Sequence, residues 1–292
     1  MPVRLCTADS NFETEFATFL GTKRESAADV TEDALRIIDD VRLRGDAAVI
    51  AYAERFDDQR LTPNSLRVPE AEILAAAEKA PAAAREALTV AAQRIDEFHI
   101  QQMPADLELG GSDGVGLGYR WSPITSVGLY IPGGLAAYPS TVLMTAIPAG
   151  VAGVDRIAMV TVSPDDALHP MVAAAAQLSG VTEIYRVGGA HAVAALALGT
   201  DSIPAVDKIV GPGNAYVTAA KRLLFGSVGI DMVAGPSEIL VVADRENDPA
   251  WVAADLLSQA EHDTNAQAIL MTDDSAFAGQ VEGAIADHLA RL

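Results

Sequence analysis

Thiols are almost missing from this sequence: Cys6 is the single cysteine in 292 residues. One thiol excludes an internal disulfide, so an oxidising compartment gains no support. Cys6 also lies in an N-terminus expected to be flexible, far from any strand-end loop, which argues against cysteine nucleophile chemistry. Basic residues are scarce, 20 Lys and Arg against 40 Asp and Glu, for a net charge of −20. No basic stripe is available to neutralise phosphates, so neither nucleic acid nor an anionic membrane is an expected partner. A phosphate-bearing cofactor would have to be held by local backbone N–H groups or a few lysines. Long apolar runs are lacking too. The longest, Thr141 to Val154, contains Pro148 and two glycines and stops at Asp155-Arg156, too short to span a bilayer. The chain does not open on a positive charge followed by an apolar run, so no signal peptide is expected and the cytoplasm is the expected location.

What is present is an apolar, alanine-rich composition and length enough for two domains. Up to about Met103 the apolar spacing is helical. Glu25 to Arg44 carries Val30, Ala34, Ile37, Ile38 and Val41 on one face and ends at Gly45; Ala47 to Phe56 and Glu70 to Lys79 repeat the pattern. Pro81 opens a further helix through Leu88, Ile95 and Phe98, with His99 near its end as a packing or dimer-contact residue. From Leu107 to Trp121 apolar and polar residues alternate around Asp113-Gly114, which predicts a hairpin.

Past Ser126, short apolar strands alternate with helices. Strands are predicted at Val127–Ile131, Arg156–Val162, Glu183–Val187, Asp207–Val210, Ile239–Ala243 and Ala268–Met271. Helices are predicted at Tyr138–Gly150, His169–Leu178, His191–Leu198, Ala215–Leu224, Ala250–His262 and Ser275–Leu289. This order implies an α/β fold with a mainly parallel sheet covered on both faces, and ligands at the carboxyl ends of its strands. Three of the strand-end loops are glycine-rich: Pro132-Gly133-Gly134, Gly188-Gly189-Ala190 and Gly211-Pro212-Gly213-Asn214. Glycine between a strand and a helix exposes N–H groups and the positive end of the helix dipole, which suits an anion. None is G-x-G-x-x-G or a P-loop, so a dinucleotide or phosphate ligand and plain turn chemistry both stay open here. Asp231 to Glu238 forms a fourth such loop, with Ser237 and Glu238 as polar candidates.

The segment Asp255 to Asp263 is the one place where a histidine lies within helical reach of several other metal-binding side chains. Asp248-Pro249 in front of it is a helix start. At about 100° per residue, Trp251, Val252 and Leu256 share an arc with Asp255, Gln259 and His262, and Glu261 points the other way. On spacing alone a partly buried helix end explains this better than a metal site, because a Gln/His pair is a weak metal signal.

Longer stretches carry a resemblance. Gly128-Leu129-Tyr130-Ile131-Pro132-Gly133-Gly134, Tyr138 to Met144, Val187-Gly188-Gly189-Ala190, Lys208 to Asn214, Ala234-Gly235-Pro236-Ser237-Glu238 and Ser258-Gln259-Ala260-Glu261-His262 resemble the histidinol dehydrogenases. The resemblance implies a zinc-dependent homodimer that oxidises L-histidinol through L-histidinal to L-histidine with two NAD. It implies two related Rossmann-like α/β domains, similar to the aldehyde dehydrogenase superfamily, preceded by N-terminal helices. On this chain, residues 130–236 would form an inserted domain, and 1–129 with 237–292 the first. Tyr130, His191 and Asn214 match NAD contacts, Ser237 a substrate contact, and Gln259 and His262 zinc ligands that also bind substrate. His191 departs from the family, where glutamine is common; it would keep a hydrogen bond with some pH dependence, or else be a solvent-exposed helix start. Asp255, one turn before Gln259, is placed by spacing to orient a ligand. The catalytic Glu-His pair and the other two zinc ligands fall, by the resemblance, beyond residue 292. Two expectations follow: part of a longer dehydrogenase that is inactive in this form, or a natural short module that binds a dinucleotide or dimerises without catalysis.

Overall fold

A computed structural model describes residues 3–21, 26–111, 114–133, 137–163, 167–233, 238–261 and 266–291, the side chains of 26–29 excepted. They form two compact units, one of residues 28–233 and one of 1–27 with 234–292. The N-terminus is not simply flexible: α1 (Phe12–Gly21) is a helix of the smaller unit.

The larger unit opens with α2 (Ser26–Arg44), α3 (Asp46–Asp57), α4 (Glu70–Glu78) and α5 (Ala82–Ile100). The antiparallel hairpin follows, β1 (Leu107–Gly110) with β2 (Gly116–Tyr119), pairing Leu107 with Tyr119 and Leu109 with Leu117. Then come β3 (Ser126–Ile131), α6 (Pro139–Val151), β4 (Arg156–Thr161), α7 (Pro170–Leu178), β5 (Glu183–Tyr185), α8 (Gly189–Leu198), β6 (Lys208–Val210), α9 (Ala215–Leu224) and β7 (Gly229–Ile230). The five strands β3 to β7 form a parallel sheet in the order β5-β4-β3-β6-β7.

The strands read as continuous apolar runs because both faces are buried. Every residue of β3 is buried. Val127, Leu129 and Ile131 face a core built with α4 to α7, and Tyr130 faces a second core built with α2, α3, α8 and α9. Residues 28–129 pack within the larger unit. The physical reason is that α3 packs on α8, α4 on α7 and α5 on α6, so the front helices bury their apolar stripes on the sheet's own covering layer. β5 stops two residues early because the N–H of Arg186 donates to Leu66, whose segment bridges Tyr185 through Arg67. β7, two residues long, carries no periodic signal.

The smaller unit holds β8 (Glu238–Val242), α10 (Pro249–Ala260), β9 (Gln267–Met271) and α11 (Ser275–Leu289). β8 and β9 pair in parallel. Their inner residues, Ile239, Val241, Ala268 and Leu270, pack on Val252, Ala253 and Leu256 of α10 and on Phe277 and Val281 of α11. Both helices start where expected: Asp248 accepts from the N–H of Ala250, and Asp274 from those of Ala276 and Phe277.

Candidate functional site

In the larger sheet the chain runs outward from β3 through β4 to β5, then returns to the other side of β3 for β6 and β7. The reversal lies between β3 and β6. In doubly wound sheets the ligand crevice opens there, at the carboxyl ends of the strands.

Tyr130 sits near the end of β3, 5% exposed, and its hydroxyl accepts from the N–H of Gly189 at 2.9 Å. Burial pushes its pKa up to about 12, so the phenol keeps its proton and can still donate it. The loops after β4, β5 and β6 close tightly around this tyrosine. A methyl group on Gly188 would overlap the Val162 side chain, and one on Gly211 would overlap the Tyr130 carbonyl. Gly211 also has φ +122°, which only glycine adopts without strain.

His191, in the first turn of α8, is 1% exposed. The solvent-exposed helix start is thus overturned. Both ring nitrogens are buried without a partner among the described residues, and burial lowers the imidazole pKa to about 4. Its ring centre lies 5.8 Å from that of Tyr52 and 6.4 Å from that of Phe56, both on α3. Asn214 caps α9: its side-chain oxygen accepts from the N–H groups of Tyr216 and Val217, each at 3.1 Å. The N–H groups of Gly213 and Asn214 themselves meet no protein acceptor among the described residues, leaving donors at the positive end of α9. By contrast the N–H of Gly189 is taken by Tyr130, so the three glycine loops are not equivalent.

The structure therefore brings Tyr130, His191 and Asn214 to one edge of one sheet. Asp57, the last residue of α3, Gln59, just past it, and Ser163, in the loop after β4, reach the same edge, each with a buried side-chain atom that has no partner among the described residues, and none has a signal in the local sequence. A lysine and an aspartate also shape the site. Lys221 is buried in α9, pairs with Asp231 and donates to the Gly211 carbonyl at 2.9 Å, while Asp231 accepts from the Gly211 N–H at 2.8 Å. One signal was available for it. Lys221 falls on the buried stripe of α9 with Val217 and Leu224, where a charge demands a partner.

In the smaller unit Gln259 lies near the end of α10, partly buried, with its amide nitrogen unpartnered. Ser237 and His262 lie outside the described residues. Among the described residues no three His, Cys, Asp or Glu side chains cluster as metal ligands. Asp255 and Glu261 are exposed. So is Trp251, at 75%, because the buried arc of α10 centres on Val252, Ala253 and Leu256.

The family profile described as histidinol dehydrogenase matches residues 21–292. The chain belongs to the histidinol dehydrogenase family. It is 57% identical over all 292 residues to the histidinol dehydrogenase of Ruegeria pomeroyi and 58% identical to that of Rhodospirillum rubrum, covering 67% of each. A crystal structure of histidinol dehydrogenase from Elizabethkingia anophelis superposes with a TM-score of 0.79 at 40% identity, over 89% of this chain and 60% of that one. The chain thus spans about two thirds of the length of the curated relatives and less of the solved one.

Proposed function

We propose that this chain carries the nucleotide-binding part of a zinc-dependent enzyme that oxidises L-histidinol through L-histidinal to L-histidine in histidine biosynthesis. NAD, when bound, supplies the hydride acceptor. One observation carries the reading: Tyr130, His191 and Asn214, far apart in sequence, meet at the carboxyl edge of a parallel sheet beside its point of reversal. The donors there suit the group. The free N–H groups of Gly213 and Asn214 and the dipole of α9 would suit an anion and offset locally the chain's net charge of −20. The buried imidazole of His191, with two unpartnered nitrogens, offers one further donor and one acceptor.

Ser237, Gln259 and His262 are proposed to contact substrate, and Gln259 and His262 to supply two zinc ligands. A homodimer, the two-domain division at 130–236 and the aldehyde dehydrogenase-like ancestry belong to the same proposal, as does a cytoplasmic location. The kinship supports them. The non-catalytic alternative, a short module that binds a dinucleotide or dimerises, has one observation in its favour: the proposed nucleotide residues lie wholly within the larger unit.

Calorimetric titration of the 292-residue protein with NAD and with ADP-ribose tests the reading. Binding that weakens about tenfold in Asn214→Ala is expected, the worth of a helix cap at a ligand-facing turn. A folded chain that binds neither nucleotide overturns it.

A further inference from the structure

Lys221 of α9 is 4% exposed and lies on a stripe with Val217 and Leu224, where an apolar side chain would be expected. A buried ion pair contributes little net stability over apolar residues of the same volume, because both charges give up their hydration. Stability therefore does not explain why a lysine stands there. Its contacts do. The ammonium pairs with Asp231, the residue after β7, and donates to the Gly211 carbonyl at 2.9 Å. The same carboxylate oxygen of Asp231 accepts from the Met232 N–H at 2.7 Å, and the other accepts from the Gly211 N–H at 2.8 Å. Both backbone polar groups of one residue are thus clamped by one ion pair.

From Gly211 the constraint passes along the turn. Pro212 has a fixed φ and no N–H. Gly213 lies so close to α9 that a Cβ there would overlap the Val217 side chain. Asn214 is held by the bonds its side chain accepts from the N–H groups of Tyr216 and Val217. With Gly211 fixed at one end and Asn214 at the other, the chain between them has few free torsions, and the N–H groups of Gly213 and Asn214, which meet no protein acceptor among the described residues, keep one direction. Donors set in place beforehand cost no ordering when an anion binds. The pair carries no net charge, so it acts on an anion through geometry and not through Coulomb attraction.

We infer that Lys221 and Asp231 are positioning residues that set how tightly the turn after β6 holds the phosphates of a nucleotide. Neither touches the ligand; both act through Gly211. This rests on the nucleotide reading above, and the experiment separates the two.

The 292-residue protein is titrated with ADP and with inorganic pyrophosphate, well below the melting temperature of each variant. Asp231→Asn is the informative change, because an amide cannot accept at both ends: whichever way it turns, its NH2 group faces the Gly211 N–H or Lys221. Positioning predicts that both ligands weaken about tenfold, the worth of one hydrogen bond to a charged group. Charge alone predicts the opposite sign, since removing a carboxylate favours an anion. The double variant Lys221→Met with Asp231→Asn, which leaves no buried charge unpaired, is expected to weaken both ligands by a similar factor. Tighter binding in Asp231→Asn, or wild-type affinity in either folded variant with only the melting temperature lowered, overturns the positioning role while the nucleotide reading stands. If wild type binds neither ligand, both fall. Should neither variant fold, amide exchange in wild type decides. The Gly211 N–H is expected to exchange slowly with or without pyrophosphate, and those of Gly213 and Asn214 to slow only when it is added. A Gly211 N–H that exchanges as fast as the other two overturns the inference.

Discussion

Burial sets the chemistry of His191. With its pKa held at about 4, the imidazole is neutral at physiological pH and offers one donor and one acceptor, as a glutamine amide does. The exchange of glutamine for histidine therefore keeps the hydrogen-bonding capacity, and the pH dependence expected of an exposed histidine moves down to acid. The same burial costs stability there. A base whose folded pKa is lowered takes up its proton first in the unfolded chain, so stability is full above about 6.5 and falls as the pH drops towards 4. The full difference is about 3 kcal/mol. Urea unfolding of wild type and His191→Gln at neutral pH and near pH 4 checks this: the wild type should lose more stability between the two by roughly that amount. Parallel losses would show that the imidazole is not desolvated.

The turn between β6 and α9 is the element on which the proposed site most depends. Its geometry is held from below. Lys221 and Asp231 satisfy both backbone polar groups of Gly211, which fixes a residue at φ +122° against the Tyr130 backbone. Gly211→Ala adds a methyl group where the Tyr130 carbonyl lies and a conformation alanine avoids, so a loss of about 3 kcal/mol or more is expected. Lys221→Met leaves Asp231 without its cation and should cost about 2 kcal/mol, discounted from a fully buried pair because Asp231 is 31% exposed. Thermal melts give both numbers. A Gly211→Ala protein as stable as wild type would mean that the turn is not held as described. α10 shows the limit of periodicity at this scale. Trp251 and Asp255 lie on its exposed side, because a helical wheel fixes which residues share an arc but not where the core lies along it.

Across the whole molecule, the two units differ in what they contain. The larger has a sheet buried on both faces, with its proposed nucleotide residues assembled. The smaller has a two-stranded sheet covered by α10 and α11 on one face only; Leu240, Val242 and Met271 are exposed on the other. The relatives are about half as long again as this chain, and the proposed reading puts the catalytic pair in that further length. Purified 292-residue protein is therefore expected to bind nucleotide without reducing NAD when given L-histidinol and zinc. Absorbance of reduced nicotinamide follows this directly, and measurable turnover would show that these residues suffice for catalysis.

Local sequence determined most of the elements. The caps Asp248, Asp274 and Asn214, the glycine turns and the apolar runs act within a few residues, so helices such as Ala215–Leu224 and Ser275–Leu289 and the parallel character of the sheet were legible from it. The motifs around Tyr130, His191 and Asn214 marked one edge of that sheet. Tertiary structure decided the rest. Nothing near Asp57, Gln59 or Ser163 in the chain distinguishes them from ordinary surface residues. Their unpartnered atoms exist only because α3 packs on α8 and carries its end to the strands of a sheet that begins some seventy residues later. Burial, which turned His191 from an exposed titrating group into a neutral one, is likewise a property of that packing and not of the residue.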